Sequence, residues 1–215
     1  MESNITISII IPGHNCCSTI DKALNSITVQ NINKKNLEII YVDDGSSDSS
    51  VQKVEIFKNK SIFPVKIITF FASSGGPSKA RNEGIKNAKN DYIFFMDSDD
   101  FIEKDCLQKL ISRFKKDNNP DYVVGLHYQI RKLNNKVIKN INYCGIKNEK
   151  EIYQASFLTN YFQNYCKYTR EYCLFEHCWG RLIKSKLIKD GNISFGEDMN
   201  QLEDILFNSK VLIQC

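Results

Sequence analysis

Hydrophobic positions in the first half of the chain follow two alternating rhythms. Short, mostly apolar runs at Ile5 to Ile11, Leu37 to Val42, Val65 to Phe70 and Tyr92 to Met96 predict strands buried in a sheet covered on both faces. Between them, apolar residues recur at helical spacing. Ile20, Ala23, Leu24 and Ile27 form one such stripe, Ala80, Gly84, Ile85 and Ala88 a second, and Leu107, Leu110, Ile111 and Phe114 a third. Ser47 stands where it can cap a helix after the second strand. Strand and helix in alternation predict an α/β fold, a mostly parallel central sheet flanked by helices.

The polar residues that interrupt this pattern fall at the carboxyl ends of the predicted strands. Pro12-Gly13-His14-Asn15 follows the first, Asp43-Asp44-Gly45-Ser46 the second, and Asp97-Ser98-Asp99-Asp100 the fourth. The loop Ser73-Ser74-Gly75-Gly76-Pro77-Ser78 leads into the helix that carries Arg81. Open α/β sheets take ligands at this rim, so the acidic clusters and a bound ligand are expected on the same edge.

After Asn118-Asn119-Pro120 the texture changes. A hairpin is expected from Tyr122 to Ile141, turning at Asn134-Asn135, followed by a helix between Glu149 and Tyr165. Trp179-Gly180-Arg181-Leu182, a turn at Asp190-Gly191 and a helix beginning near Glu203 complete the chain, which is expected to continue past Cys215.

At 215 residues, 42% hydrophobic and 25% charged, the chain has the make-up of an ordinary globular domain. Its 29 basic and 25 acidic residues are spread along the sequence, which argues for an anionic small ligand and against nucleic-acid binding. No apolar run reaches the roughly 18 residues of a spanning helix, so any membrane contact is expected to be peripheral or to lie outside this chain. Eight cysteines without a secretory signal at Met1-Glu2-Ser3-Asn4 predict reduced thiols and a cytoplasmic setting, with the inner face of the membrane as an option. Cys166, Cys173 and Cys178 beside His177 contain no Cys-x-x-Cys pair, so buried free thiols are expected there rather than zinc.

The chemistry centres on Asp97, Asp99 and Asp100. Three carboxylates in one turn repel one another, an arrangement suited to a hard divalent cation, Mn2+ or Mg2+, shared with substrate phosphates. The bland alternative is a solvated turn capping the next helix. Asp44 can accept from a pyrimidine N–H or ribose hydroxyls, although Asp-Gly-Ser is also common turn chemistry. Arg81 suits a pyrophosphate or a neighbouring carboxylate, the alternative being a structural salt bridge. Neither Gly-x-x-x-x-Gly-Lys-Ser/Thr nor Gly-x-Gly-x-x-Gly occurs at the first turn, which excludes a P-loop NTPase and a dinucleotide oxidoreductase. A nucleotidylyltransferase would place a Gly-rich basic loop after the first strand, unlike Pro12 to Asn15.

In order, Pro12 to Asn15, Val42-Asp43-Asp44-Gly45-Ser46, Gly76 to Asn82 and Phe95-Met96-Asp97-Ser98-Asp99-Asp100 closely resemble the successive motifs of the family 2 glycosyltransferases of GT-A fold. Trp179-Gly180-Arg181-Leu182 and Glu203-Asp204-Ile205-Leu206-Phe207 occupy the places of two later motifs. The resemblance implies a nucleotide-sugar-binding half over 1–117 and an acceptor-side half of the same domain over 118–215. It implies that Pro12, His14, Asn15, Asp43, Asp44, Arg81, Asp97 and Ser98 bind the donor, with Asp44 at the base, Arg81 at the nucleotide end and Asp97 at the ribose. Asp99 would hold the metal, with Asp100 able to share these duties, and Trp179 and Glu203 would lie on the acceptor side. Asp204 would be the general base of an inverting transfer, with Asp198 the competing carboxylate. The donor implied is a uridine-diphosphate sugar, and the acceptor a hydroxyl of a polysaccharide, lipid-linked glycan or glycoprotein. His14 stands where the family commonly has Tyr, which puts donor preference in question. His127 and His177 match no motif and are expected to be ordinary core or surface residues. The alternative from another class is a non-catalytic nucleotide-sugar-binding module or partner subunit.

Overall fold

A computed structural model describes residues 5–70, 75–116, 121–125, 127–133, 136–142, 177–199 and 202–214. In chain order the elements are β1 (Ile7–Gly13), α1 (Ile20–Thr28), a 3-10 turn (Lys34–Asn36), β2 (Leu37–Asp43), α2 (Ser50–Lys60), β3 (Val65–Thr69), α3 (Gly76–Asn87) and β4 (Tyr92–Phe95). They continue with α4 (Cys106–Lys116), β5 (Tyr122–Val124), β6 (His127–Leu133), β7 (Lys136–Asn142), β8 (Arg181–Lys184), α5 (Ser185–Asp190) and α6 (Glu203–Gln214).

The main sheet runs β3-β2-β1-β4-β8-β5. β1 pairs in parallel with both β2 and β4, while β8 is antiparallel to β4 and β5. The chain steps from β1 outward through β2 to β3, then crosses to the other side of β1 to lay down β4. That reversal opens a crevice at the carboxyl ends of β1 and β4, where doubly wound sheets take their ligands.

Strand alternation divides the core between the sheet's two faces. Ile7, Ile9, Ile11, Ile39 and Tyr41 pack with Ile20, Leu24 and Ile27 of α1, Val54 of α2 and Leu107 of α4. Ile10, Ile40, Val42, Ile93 and Phe95 pack on the opposite face with Ala80 and Ile85 of α3 and Phe207 and Val211 of α6. Phe195 and Phe207 stack at 3.9 Å, and each meets Phe95 edge to face.

Three local expectations need correction. β1 runs on through Pro12 and Gly13, which pair with Val42 and Asp43, instead of turning there. Pairing with β4 ends at Ile10 and Phe95, so the missing N–H of Pro12 falls where β1 has a neighbour on one side only. Ser47 does not cap α2, because its N–H and hydroxyl donate to Asn15 Oδ1. The N-cap residue is Ser49, which makes no side-chain cap bond, and Asp48 just before it accepts from the Ser50 and Cys17 N–H groups at 2.9 and 3.0 Å. Residues 122–124 are not part of the hairpin; they form β5 beside β8, and the hairpin is β6 and β7 alone, with Leu133 facing Lys136.

The turn expected at Asn134-Asn135, the helix expected between Glu149 and Tyr165, Cys166, Cys173 and the Ser73-Ser74 end of the loop before α3 lie outside the described residues. Cys178 is a buried free thiol, held protonated chiefly by burial. Among the described residues no helix is long and apolar enough to cross a membrane.

Candidate functional site

Where β1 and β2 end, their turns are stitched together. Asp44 N–H donates to the Gly13 carbonyl at 2.8 Å, and His14 Nδ1 meets the Asp44 carbonyl oxygen at 2.8 Å. Asn15, in the left-handed region at φ 49°, donates its N–H to Ser46 Oγ and accepts from Ser47 N–H, both at 2.9 Å. Asp43 is fully buried and closes the turn from below, accepting from Ser46 N–H at 2.9 Å and from the Tyr41 hydroxyl at 3.1 Å. Asp44 Oδ2 accepts from Gly76 N–H at 2.9 Å, which anchors the first turn of α3 to the β2 loop. Pro12 lies buried within β1, whereas His14 and Asn15 are exposed.

Beyond β4, Asp97, Asp99 and Asp100 each offer a carboxylate oxygen, and the three oxygens lie within 4.8 Å of one another. Burial pushes Asp97 up from the usual carboxylate range; Arg81 opposes this, while Asp204 and Asp99 add to it. Asp100 is pushed up to about 6 by desolvation and by its neighbours Asp97 and Asp99. This stored repulsion is what a bound cation would relieve, and the donors are all hard oxygens, so a divalent ion fits. Ser98 sits half-buried inside the same turn.

Arg81 joins this cluster to α6. From one turn into α3 its Nη2 donates to Asp97 Oδ1 at 2.9 Å, while Nη1 lies 3.4 Å from Asp204 Oδ1 and 3.6 Å from Glu203 Oε1. Its side chain is only 6% exposed. The position follows from packing: Gly84, one turn further along α3, lies so close to β1 that an added Cβ would sit 2.3 Å from Ile10 Cγ2. Small residues at this contact let the helix settle against the sheet and carry Arg81 to the rim.

Asp204 is held from a second direction, its Oδ2 accepting from Cys178 N–H at 3.1 Å. Cys178 belongs to the turn 177–180, which Gly180 permits with φ 71°. In this turn the rings of His177 and Trp179 stack 4.7 Å apart and 13° from parallel, and Trp179 is half-buried. His177 therefore has a place in the site's architecture that no motif indicated.

The structure thus brings Asp97, Arg81, Glu203 and Asp204 into one ion-pair network beside Asp99 and Asp100, with Trp179 on the turn that holds Asp204. Asp44, His14 and Asn15 stand on the same rim, linked to Arg81 through the start of α3. Asp198 lies exposed in the loop before α6, a loop secured through Asn82, which bonds the Phe195 backbone in both directions and Glu197. Arg181 and Asn208 are buried polar residues; Arg181 entered the sequence analysis only as a member of the Trp179-Gly180-Arg181-Leu182 motif, and Asn208 not at all. Their signal was a polar residue at an apolar position, Asn208 falling one turn after Asp204 and next to buried Phe207.

A family model described as Glycosyl transferase family 2 matches residues 8–188. The chain is 29% identical over 210 residues to poly(ribitol-phosphate) beta-N-acetylglucosaminyltransferase TarS of Staphylococcus aureus (strain Mu50), the match covering 97% of this chain and 32% of that protein. It is 28% identical over 209 residues to poly(ribitol-phosphate) beta-glucosyltransferase of Bacillus spizizenii, covering 97% of this chain and 30% of that one. The crystal structure of S. aureus TarS 1-349 in complex with UDP-GlcNAc superposes with a TM-score of 0.72 at 26% identity, covering 98% of this chain and 54% of that one. The chain spans about a third of the length of these two curated relatives.

Proposed function

The chain belongs to glycosyl transferase family 2 and has the GT-A fold, and on that premise we propose that it transfers a sugar, with inversion, from a uridine-diphosphate donor to a hydroxyl of a growing glycan. A hydroxyl-bearing polymer of the poly(ribitol-phosphate) kind is the acceptor class best supported, since two relatives are named for it. The observation that carries the reading is the joining of an acidic triad at the end of β4 to Asp204 on α6 through the buried guanidinium of Arg81.

In this reading His14, Asn15 and Asp44 line the nucleotide end of the crevice, with Pro12 and Asp43 shaping the turns beneath them. Asp97 and Ser98 face the ribose. Asp99, aided by Asp97 and Asp100, holds Mn2+ or Mg2+, which when bound neutralises charge on the departing diphosphate. Asp204 takes the proton of the acceptor hydroxyl as that oxygen attacks the anomeric carbon from the face opposite the leaving group. Glu203 and Trp179 border the acceptor, the indole offering an apolar wall to a sugar ring. Residues 1–117 supply the donor side and 118–215 the acceptor side of one catalytic domain working in the cytoplasm.

The test is a thermal-shift screen of nucleotide sugars with manganese, followed by nucleotide release from the best donor. Metal-dependent stabilisation by a UDP-sugar, with UDP released on adding an acceptor polymer, is the expected result. Stabilisation without release under any acceptor would mark a binding module instead.

A further inference from the structure

The peptide group joining His177 to Cys178 is gripped at both polar ends. Its carbonyl accepts from Arg181 Nε on β8 and from Asn208 Nδ2 on α6, the latter at 3.0 Å. Its N–H donates to Asp204 Oδ2 at 3.1 Å. The two ends of a planar trans peptide point in opposite directions, and Asp204 and Asn208 stand one helical turn apart on α6, so a single peptide spans both. Arg181 is itself fixed, only 1% exposed, its guanidinium donating to the Tyr122 hydroxyl on β5. Gly125 N–H closes the turn on the Gly180 carbonyl at 2.9 Å.

We propose that Arg181 and Asn208 are positioning residues for glycosyl transfer: by holding the His177 carbonyl they aim the Cys178 N–H at Asp204 and so set the direction of that carboxylate. The same peptide rotated by half a turn would present its carbonyl to Asp204, placing two acceptors face to face. Donors on the far side of the peptide exclude that state, because rotation would strand buried Arg181 and Asn208 without this acceptor. Asp204 is then steered by two donors, Cys178 N–H on Oδ2 and Arg81 on Oδ1. A general base gains from such fixing because small errors of aim in the attacking geometry cost orders of magnitude in rate. The inference rests on the reading of Asp204 as the base.

The experiment combines kinetics with the amide resonance of Cys178 in 15N-cysteine-labelled protein, assigned by its loss in Cys178→Ser. Asn208→Ala and Arg181→Met should both move that resonance upfield, towards its position in Asp204→Asn, as its bond to the carboxylate weakens, and Arg181→Lys should move it less. Turnover should fall on the order of tenfold in Asn208→Ala and a hundredfold in Arg181→Met, with donor KM within about threefold of the parent. Arg181→Lys should recover much of the turnover that Arg181→Met loses. If Arg181→Met does not fold, Asn208→Ala and Arg181→Lys carry the comparison. An amide that stays put in both variants, or a KM that rises as much as kcat falls, overturns the proposal. A displaced amide in a protein whose Asp204→Asn form keeps full activity overturns the assignment of the base instead.

Discussion

Arg81 and Asp204 are 123 residues apart in sequence, yet the guanidinium of one lies 3.4 Å from the carboxylate of the other. Arg81 also bonds Asp97, so one buried cation holds the carboxylates at the end of β4 and on α6 in a fixed relation.

Removing that cation should cost stability as well as activity. Arg81→Ala leaves Asp97, Glu203 and Asp204 facing one another with no compensating charge, and loss of one partner from a buried ion pair costs roughly 3 to 5 kcal/mol. Asp97 and Glu203 keep some solvent contact, which argues for the lower end of that range. Arg81→Lys keeps the charge but cannot span two carboxylates with one planar fork, and should fall between. Urea unfolding of the three proteins measures this; an Arg81→Ala midpoint equal to the parent's would show the network to be idle.

Asp204→Asn separates chemistry from binding. The amide keeps the size of the side chain but cannot take a proton, so turnover should drop on the order of 10² to 10⁴ while donor affinity stays near normal. Nucleotide release and donor titration on the same preparation check both halves. Asp198→Asn is the control: exposed in the preceding loop, it should leave turnover close to the parent's.

Metal binding should weaken in acid. A carboxylate whose protonated form is favoured must give up that proton before it can ligate a cation. Asp100, pushed up to about 6, is deprotonated well above that pH and protonated well below it, and burial raises Asp97 in the same direction. Apparent manganese affinity should therefore level off above pH 7 and fall about tenfold per unit below 6 for each proton displaced. Titration calorimetry at several pH values should also register the released protons. A flat profile from pH 5 to 8 would contradict the cluster as the metal site. Asp99→Ala should abolish metal dependence altogether.

Much of this was legible in the sequence because the fold's signals are local. Continuous apolar runs and helical stripes gave the α/β alternation, and acidic turns directly after strands placed Asp44 and Asp97 on one rim. What stayed hidden depends on contacts between distant segments. That residues 122–124 leave the hairpin to pair with β8 is decided by a strand about sixty residues away, which no local pattern announces. Ser47 reads as a cap by residue type, but Asn15, thirty-two residues earlier, claims it. The role of Arg181 is visible only once β8, β5 and α6 are seen to converge on one peptide group.

The seating of α3 gives a last test, because it decides where Arg81 stands. An added Cβ at Gly84 would lie 2.3 Å from Ile10 Cγ2, well inside van der Waals contact, so Gly84→Ala must push α3 off β1 or displace a fully buried isoleucine. The substitution gains about 1 kcal/mol in helix propensity but loses about 1 to 3 kcal/mol by overpacking, so a net destabilisation is expected. Ile10→Ala removes the clashing methyl at the cost of a cavity. If the contact is what seats the helix, the double variant should be more stable than the sum of the two single effects, by about 1 kcal/mol or more. It should also recover part of the turnover that Gly84→Ala loses, since Arg81 moves with the helix. Strict additivity in a denaturation cycle would mean that α3 takes its position from other contacts.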